Sequence, residues 1–124
     1  MIYLLVFLGG GIGSMLRHAV NVAAVRLGGA GFPFGTLAVN ITGSVVMGLL
    51  AGYFAFKGAP TQHWRLFLMT GVLGGYTTFS AFSLDTIVLY ERGEWGLAAL
   101  YVLASVGASL GGLFGGLLLM RQIT

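Results

Sequence analysis

The residues best suited to chemistry form a glycine- and hydroxyl-rich run inside an otherwise apolar stretch. This run reads GVLGGYTTFSAFSLD and occupies residues 71–85. It predicts a break in a membrane helix, where freed backbone carbonyls can coordinate a cation and freed N–H groups can face an anion. Phe79 and Phe82 lie three residues apart, so their ring edges, which carry the positive part of the aromatic quadrupole, can face one anion. On spacing alone, two such phenylalanines are more often packed in a core.

Two further sets of polar residues recur at every fourth position, so each set shares one helix face. The two sets are Thr36, Asn40 and Ser44, and Tyr101, Ser105 and Ser109. Polar side chains at membrane depth cost free energy unless they are partnered or line a hydrated path. Two such tracks therefore favour a polar pathway. The alternative, favoured for any single hydroxyl, is that it bonds back to the carbonyl four residues earlier.

Composition places these residues in a membrane protein. Of the 124 residues, 57% are hydrophobic and 7% are charged, whereas a soluble domain has about a quarter charged residues. Six scattered basic residues form no basic patch, so nucleic acid is not expected as a partner. Cysteine is absent, which excludes disulfides and thiolate chemistry. The apolar N-terminus lacks a basic segment and a cleavage site, and we expect a retained helix rather than a signal peptide.

The charges and helix breakers divide the chain into four apolar stretches, each near the ~20 residues that a membrane-spanning helix needs. We predict an all-α membrane protein with one transmembrane domain over residues 1–124 and a third helix broken in mid-membrane. The predicted helices cover about residues 2–27, 35–56, 66–90 and 95–120. The segment Lys57-Gly58-Ala59-Pro60 is expected to end the second helix, and Trp95 to anchor the fourth at the membrane interface.

Orientation depends on the basic residues in the loops, since four spans place both termini on one side. The terminal side carries Lys57, Arg65 and Arg121, and the opposite side carries Arg26 and Arg92. This split biases insertion very little, so we expect copies in both orientations that pair as an antiparallel dual-topology homodimer. A single orientation set by local context is the alternative.

Glycine usage also favours association, because small residues let membrane helices approach closely. The chain has 22 glycines. Two stripes of small residues at every fourth position are expected to build an oligomer, namely Ser44, Gly48 and Gly52, and Gly107, Gly111 and Gly115. The glycine cluster at residues 9–13 is attributed to helix packing, because no strand precedes it as in a dinucleotide loop.

The run at residues 71–85 resembles the signature of the CrcB/Fluc family of fluoride channels, and the similarity extends over essentially the whole chain. Residues 13–17, GSMLR, resemble the family's first-helix segment, and residues 35–44, GTLAVNITGS, resemble its second-helix motif. The resemblance implies a dual-topology homodimer with two antiparallel pores. It also implies passive release of cytoplasmic fluoride across the cell inner membrane, and no enzyme activity.

The resemblance further implies roles for residues along the fluoride path. Phe79 and Phe82 would supply aromatic edges, and Asn40 would donate a hydrogen bond. The hydroxyl residues that match the family's polar track on the fourth helix are Tyr101, Ser105 and Ser109.

Other implied roles lie at the helix break and in the first helix. Backbone carbonyls of Gly74 and Thr77 from both subunits would hold a structural sodium ion at the dimer centre. Arg17 would place positive charge near an aqueous vestibule. Two residues depart from the commonest pattern of the family, with Ala81 where threonine is frequent and Asp85 where glutamate is frequent.

Two other classes of protein fit the sequence less well. A small multidrug antiporter also uses four helices and dual-topology dimers, but proton exchange would need an acid deep in the first helix, which has none. Asp85 is the only acidic candidate within a span. A non-conducting scaffold would explain the glycine stripes but neither the polar tracks nor the broken third helix. Histidines and acids are also too scattered in the sequence to suggest an enzyme.

Overall fold

The computed structural model describes residues 1–56 and 62–123, and the structure in these ranges is built from helices. Helix α1 covers Ile2–Gly28 and α2 covers Phe34–Phe56. The third span consists of α3, residues 62–76, and α4, Phe79–Glu91. Helix α5 covers Trp95–Ile123. The segment predicted to end the second helix, residues 57–60, lies outside the described residues.

Four helical segments are long and apolar enough to cross a membrane. They are Ile2–Gly28, Phe34–Ala55, Gln62–Glu91 and Trp95–Ile123. This finding confirms the predicted all-α class with four spans.

The third span is interrupted after Tyr76, in agreement with the predicted break. Helix α3 is itself irregular, since its middle part, Leu66–Leu73, is a π-helix. Thr77 and Thr78 are extended, with φ −82°, ψ 158° and φ −154°, ψ 127°. The Thr78 hydroxyl then caps α4 by accepting a hydrogen bond from the Ala81 N–H at 3.2 Å. An N-cap of this kind satisfies a backbone donor that the helix start leaves free.

Helix α1 packs on α3 through glycines, as expected for the cluster at residues 9–13. Gly9 and Gly13 are buried. A Cβ atom on Gly9 would lie 3.0 Å from the Gly71 Cα, and one on Gly13 would collide with the Val72 carbonyl. The two backbones are therefore in direct contact, which only residues without a side chain permit.

Helix α2 packs on α5 in the same manner. A Cβ atom on Gly52 would lie 2.7 Å from the Met120 Cβ, and one on Gly48 would collide with the Leu113 carbonyl. The expectation that this α2 stripe builds an oligomer is wrong for Gly48 and Gly52, because both contact α5 of the same chain. The stripe of Gly107, Gly111 and Gly115 meets nothing within 4 Å in the described chain.

Candidate functional site

A cavity of about 320 Å³ lies where the break in the third span meets α2 and α5. We call this cavity the polar chamber. Its lining residues are Asn40, Ser44, Thr77, Thr78, Phe79, Ser105, Val106, Ser109 and Leu110. The chamber brings polar residues of the α2 and α5 tracks together at the helix break.

The α5 hydroxyls in the chamber lack protein partners. Ser105 Oγ and Ser109 Oγ are buried, and neither forms a hydrogen bond within the part of the chain that the structure describes. The alternative that these serines bond back to the preceding turn is therefore wrong. A buried polar group without a partner costs about 1–3 kcal/mol. The two hydroxyls are consequently ready to donate to a ligand in the chamber.

Other hydroxyls in the spans do bond back to their own helix. Ser83 Oγ donates to the Phe79 carbonyl at 3.0 Å, and Thr86 Oγ1 donates to the Phe82 carbonyl at 2.8 Å. Thr42 Oγ1 donates to the Ala38 carbonyl at 2.7 Å. The unpartnered state of Ser105 and Ser109 is thus not shared by these three hydroxyls.

Asn40 contacts the break through both ends of its carboxamide. Its Nδ2 donates to the Thr78 carbonyl at 2.9 Å, and its Oδ1 accepts from the Thr78 N–H at 2.8 Å. One N–H of Nδ2 remains for other acceptors, because a carboxamide has two N–H donors. The structure places Asn40 in the chamber, and it also pairs its side chain with backbone, which the sequence did not indicate.

Three aromatic rings form a continuous row from the chamber into the core. Phe79 is 77% exposed in the single chain and its ring centroid lies 5.5 Å from that of Phe82 at an interplanar angle of 51°. The Phe82 ring in turn lies 5.3 Å from that of Tyr101 at 42°. Tyr101 is fully buried. The two predicted phenylalanines are therefore adjacent, and the first of the α5 track residues closes the row.

Tyr101 connects this row to a second cavity. Its hydroxyl donates to Asp85 Oδ2 at 3.2 Å, and Asp85 lines a cavity of about 310 Å³ that we call the loop cavity. The other polar side chains in the lining of the loop cavity belong to Asn21, Thr36 and Arg92. The pairing of Tyr101 with Asp85 was missed from the sequence, because the two residues are 16 positions apart on different helices.

Arg17 lies at the first half of the third span rather than in the lining of either cavity. Its Nε donates to the Gly75 carbonyl at 3.1 Å, and the side chain is half-buried. Positive charge at a helix C-terminus is favourable, because the final carbonyls carry partial negative charge. The structure therefore shows Arg17 binding the end of α3.

The break also decides which backbone carbonyls are free. In a continuous helix the Thr78 N–H would donate to the Gly74 carbonyl, but here it donates to Asn40. Gly74 is exposed, and Thr77 lies outside the helices. Among the described residues no three His, Asp or Glu side chains are grouped to hold a metal ion. The carbonyls of Gly74 and Thr77, predicted as sodium ligands, thus both lie at the break.

A third cavity, of about 460 Å³, lies on a different face of α2 from the polar chamber. We call this cavity the apolar cleft. Its lining residues are Leu16, Ala19, Val20, Ala23, Thr42, Val46, Val72, Leu73 and Tyr76. The hydroxyls of Thr42 and Tyr76 lie 2.9 Å apart and are hydrogen-bonded to each other.

Comparison with known proteins gives a consistent result over the whole chain. The family model described as "CrcB-like protein, Camphor Resistance (CrcB)" matches residues 4–117. The chain is 65% identical over 124 residues, which is the full length of both proteins, to "Fluoride-specific ion channel FluC" of Rhodopseudomonas palustris (strain BisB5). It shows the same identity and coverage with "Fluoride-specific ion channel FluC 2" of Nitrobacter hamburgensis. A relative of the same name from Agrobacterium fabrum is 53% identical over 119 residues, covering 96% of this chain and 95% of the relative.

Proposed function

The chain belongs to the CrcB family, and on this premise we propose that it is a fluoride-selective ion channel that conducts passively. The observation that carries the proposal is the polar chamber, where the unpartnered hydroxyls of Ser105 and Ser109 share one cavity with Phe79. The relatives are named as ion channels, which agrees with the expectation that the chain is not an enzyme. With four spans, it is a multi-pass membrane protein, which in a bacterium lies in the inner membrane.

Selectivity for fluoride follows from a few hydrogen-bond donors that surround a narrow space in the chamber. An anion entering it loses water and receives hydrogen bonds from Ser105, Ser109 and the second N–H of Asn40, together with the polarised ring edge of Phe79. Donors within a narrow space satisfy the smallest halide best, because a larger halide keeps them too far from one another and from the ring. No source of energy is required, and the flux follows the fluoride gradient.

The anion route continues along the row of rings to the loop cavity. Phe82 lies between Phe79 and Tyr101, and the Tyr101 hydroxyl reaches Asp85 in the lining of the loop cavity. Phe79, Phe82 and Tyr101 are thus proposed to line one path between the two cavities. Fluoride that has entered a cell as the neutral acid would leave by this path.

A second, antiparallel copy of the chain completes the site. Val106 and Leu110 at the edge of the chamber are 47% and 67% exposed in the single chain, and Phe79 is more exposed still. This open edge would place the polar chamber beside lipid, which supplies no hydrogen-bond partners for polar groups. A partner copy that covers this edge would enclose the chamber, and the uncovered stripe of Gly107, Gly111 and Gly115 offers it a surface of small residues.

The same dimer would hold the structural sodium ion. The carbonyls of Gly74 and Thr77 fit a small hard cation in chemical type, and the break frees the Gly74 carbonyl of its helical partner. One chain supplies two such carbonyls, so a second chain is needed to surround the ion with oxygen. When bound, the ion would fix the two breaks against each other. Arg17 does not compete for these carbonyls, since its Nε donates to Gly75.

Anion efflux from liposomes containing the purified protein tests the function. Fluoride and chloride release are followed in parallel with ion-selective electrodes. Rapid fluoride efflux with negligible chloride efflux is the expected result. Efflux of neither ion would exclude the channel and favour the antiporter or scaffold alternatives.

The dual topology is tested separately, with C-terminal reporters that are active on only one side of the membrane. Signal from both reporters is expected. Signal from a single side would overturn the antiparallel arrangement without affecting the choice of ion.

A further inference from the structure

The carboxamide of Asn40 pairs with a single residue of the break. Its two hydrogen bonds reach the N–H and the carbonyl of Thr78, at 2.8 and 2.9 Å. The opposite orientation of the carboxamide would place oxygen against oxygen and N–H against N–H, so the pairing admits only one orientation. The Thr78 N–H, which the break leaves without a helical acceptor, is thereby satisfied by α2, and the Thr78 carbonyl, which caps the start of α4, also accepts a hydrogen bond from α2.

Thr78 directly precedes the first ring of the aromatic row, so its backbone conformation affects where that ring lies. It is the N-cap of α4 and directly precedes Phe79. On its other side, Thr77 is tied back to α3, because its N–H and hydroxyl both donate to the Leu73 carbonyl at 3.0 and 2.9 Å. A rotation of the Thr78 backbone would therefore be taken up by Phe79 and the start of α4. Asn40 is the side chain that opposes this rotation.

We propose that Asn40 is a positioning residue that holds Thr78 extended and so fixes the direction of Phe79 in the polar chamber, before and during passage of the anion. This inference rests on the proposed function and changes the role of Asn40 within it. No more than one N–H of the carboxamide can donate to the anion, because the other N–H and the oxygen stay bonded to Thr78. The chamber serines then supply most of the hydrogen bonds to fluoride.

The Thr78 carbonyl can be observed selectively, since Thr78-Phe79 is the only Thr-Phe pair in the sequence. Protein labelled with ¹³C at threonine carbonyls and ¹⁵N at phenylalanine amides gives one ¹³C–¹⁵N correlated signal in solid-state NMR of bilayer samples. We expect the wild-type signal to be the same in fluoride and in chloride. Asn40→Ala removes the donor and should shift the signal. Ser44→Ala, one turn further along α2 and also in the chamber lining, should leave the signal at the wild-type position.

Two outcomes of this measurement would overturn the proposal. If fluoride moves the wild-type signal to the Asn40→Ala position, the carboxamide leaves Thr78 to bind the anion. If Asn40→Ala leaves the signal unchanged, Asn40 does not hold the carbonyl. Neither outcome depends on conduction, so a wild-type protein that carried no fluoride would refute the proposed function while the Thr78 signal still decided the role of Asn40.

Efflux measurements separate positioning from a purely structural role. Asn40→Ala removes both hydrogen bonds to Thr78, so it should lower fluoride efflux by about tenfold and should also lower the ratio of fluoride to chloride efflux. A misdirected Phe79 changes which halide fits, whereas a smaller number of folded channels lowers both rates equally. An unchanged ratio in a folded Asn40→Ala protein would contradict positioning.

Discussion

The polar chamber and the apolar cleft lie on different faces of α2, and their hydroxyl groups differ in whether they have hydrogen-bond partners. In the cleft, Thr42 bonds to its own helix and to Tyr76. In the chamber, Ser105 and Ser109 have no hydrogen-bond partner within the described chain. Hydroxyls at membrane depth therefore do not by themselves mark a pathway, and the proposed pathway rests on the two that have no internal partner.

The largest effect is expected from the aromatic row that enters the chamber. Phe82→Ile keeps apolar bulk but deletes the ring edge between Phe79 and Tyr101, so fluoride efflux from liposomes should fall to background. The variant should elute at the same volume as the wild type in size-exclusion chromatography. Phe54→Ile, near the end of α2 and outside the chamber lining, serves as the matched control and should conduct normally. Wild-type efflux from Phe82→Ile would refute the role assigned to this ring.

The chamber serines should show the next largest effect. A hydrogen bond to a charged group contributes about 1.5–3 kcal/mol, so Ser105→Ala and Ser109→Ala should each lower fluoride efflux by roughly ten- to a hundredfold, and the double variant more. Thr42→Val removes a hydroxyl from the cleft and should change efflux by less than about twofold, because this group is already satisfied within the protein. Equal losses in the chamber and cleft variants would erase the functional difference between the two cavities.

The effects on stability should have the opposite order, with a larger loss from the cleft variant than from the chamber variant. Ser109→Ala removes an unpartnered buried hydroxyl and should leave the free energy of unfolding unchanged or raise it slightly. Thr42→Val removes the hydrogen bonds of this hydroxyl to its own helix and to Tyr76, so the free energy of unfolding should fall by about 0.6–1.5 kcal/mol. Reversible unfolding in mixed micelles measures both variants against wild type. A greater loss of stability in Ser109→Ala would show that its hydroxyl is partnered in the folded protein.

The sequence was sufficient to predict the membrane class, the four spans and the break, because these depend on composition and on local helix-breaking residues. Period-four spacing also grouped Asn40 with Ser44 and Ser105 with Ser109, and all four residues line one cavity. It did not separate the free hydroxyls from the satisfied ones. Thr42 lies two residues from both Asn40 and Ser44 and has the same chemistry as a pathway hydroxyl, but its face of α2 meets Tyr76.

The glycine stripes show the same limit. On α5, Gly107, Gly111 and Gly115 overlap in sequence with a second stripe, Gly112 and Gly116, and either stripe permits close packing. The structure places Gly112 and Gly116 against α2, with a Cβ atom on Gly116 only 2.6 Å from the Val45 carbonyl. Which of the two stripes packs on α2 depends on the surface of α2, and the periodicity of residues along α5 carries no information about that surface. For the same reason the contacts of Asn40 with Thr78 and of Tyr101 with Asp85 were not foreseen.

A smaller effect on efflux than at the chamber serines is expected from Asp85→Asn, and it distinguishes the channel from an antiporter. Tyr101 belongs to the α5 track by spacing, yet it resembles the cleft hydroxyls because Asp85 accepts its hydrogen bond. Asp85→Asn keeps a side-chain oxygen as acceptor and should therefore change fluoride efflux by no more than about threefold. Asp85→Leu removes the acceptor and leaves the buried Tyr101 hydroxyl without this partner, so a larger loss is expected from that variant. A proton-coupled transporter that depends on the only acid deep in a span would lose transport in both variants. Complete loss in Asp85→Asn would thus contradict passive conduction, whereas near-normal efflux in Asp85→Asn with a clear loss in Asp85→Leu would assign Asp85 to holding Tyr101.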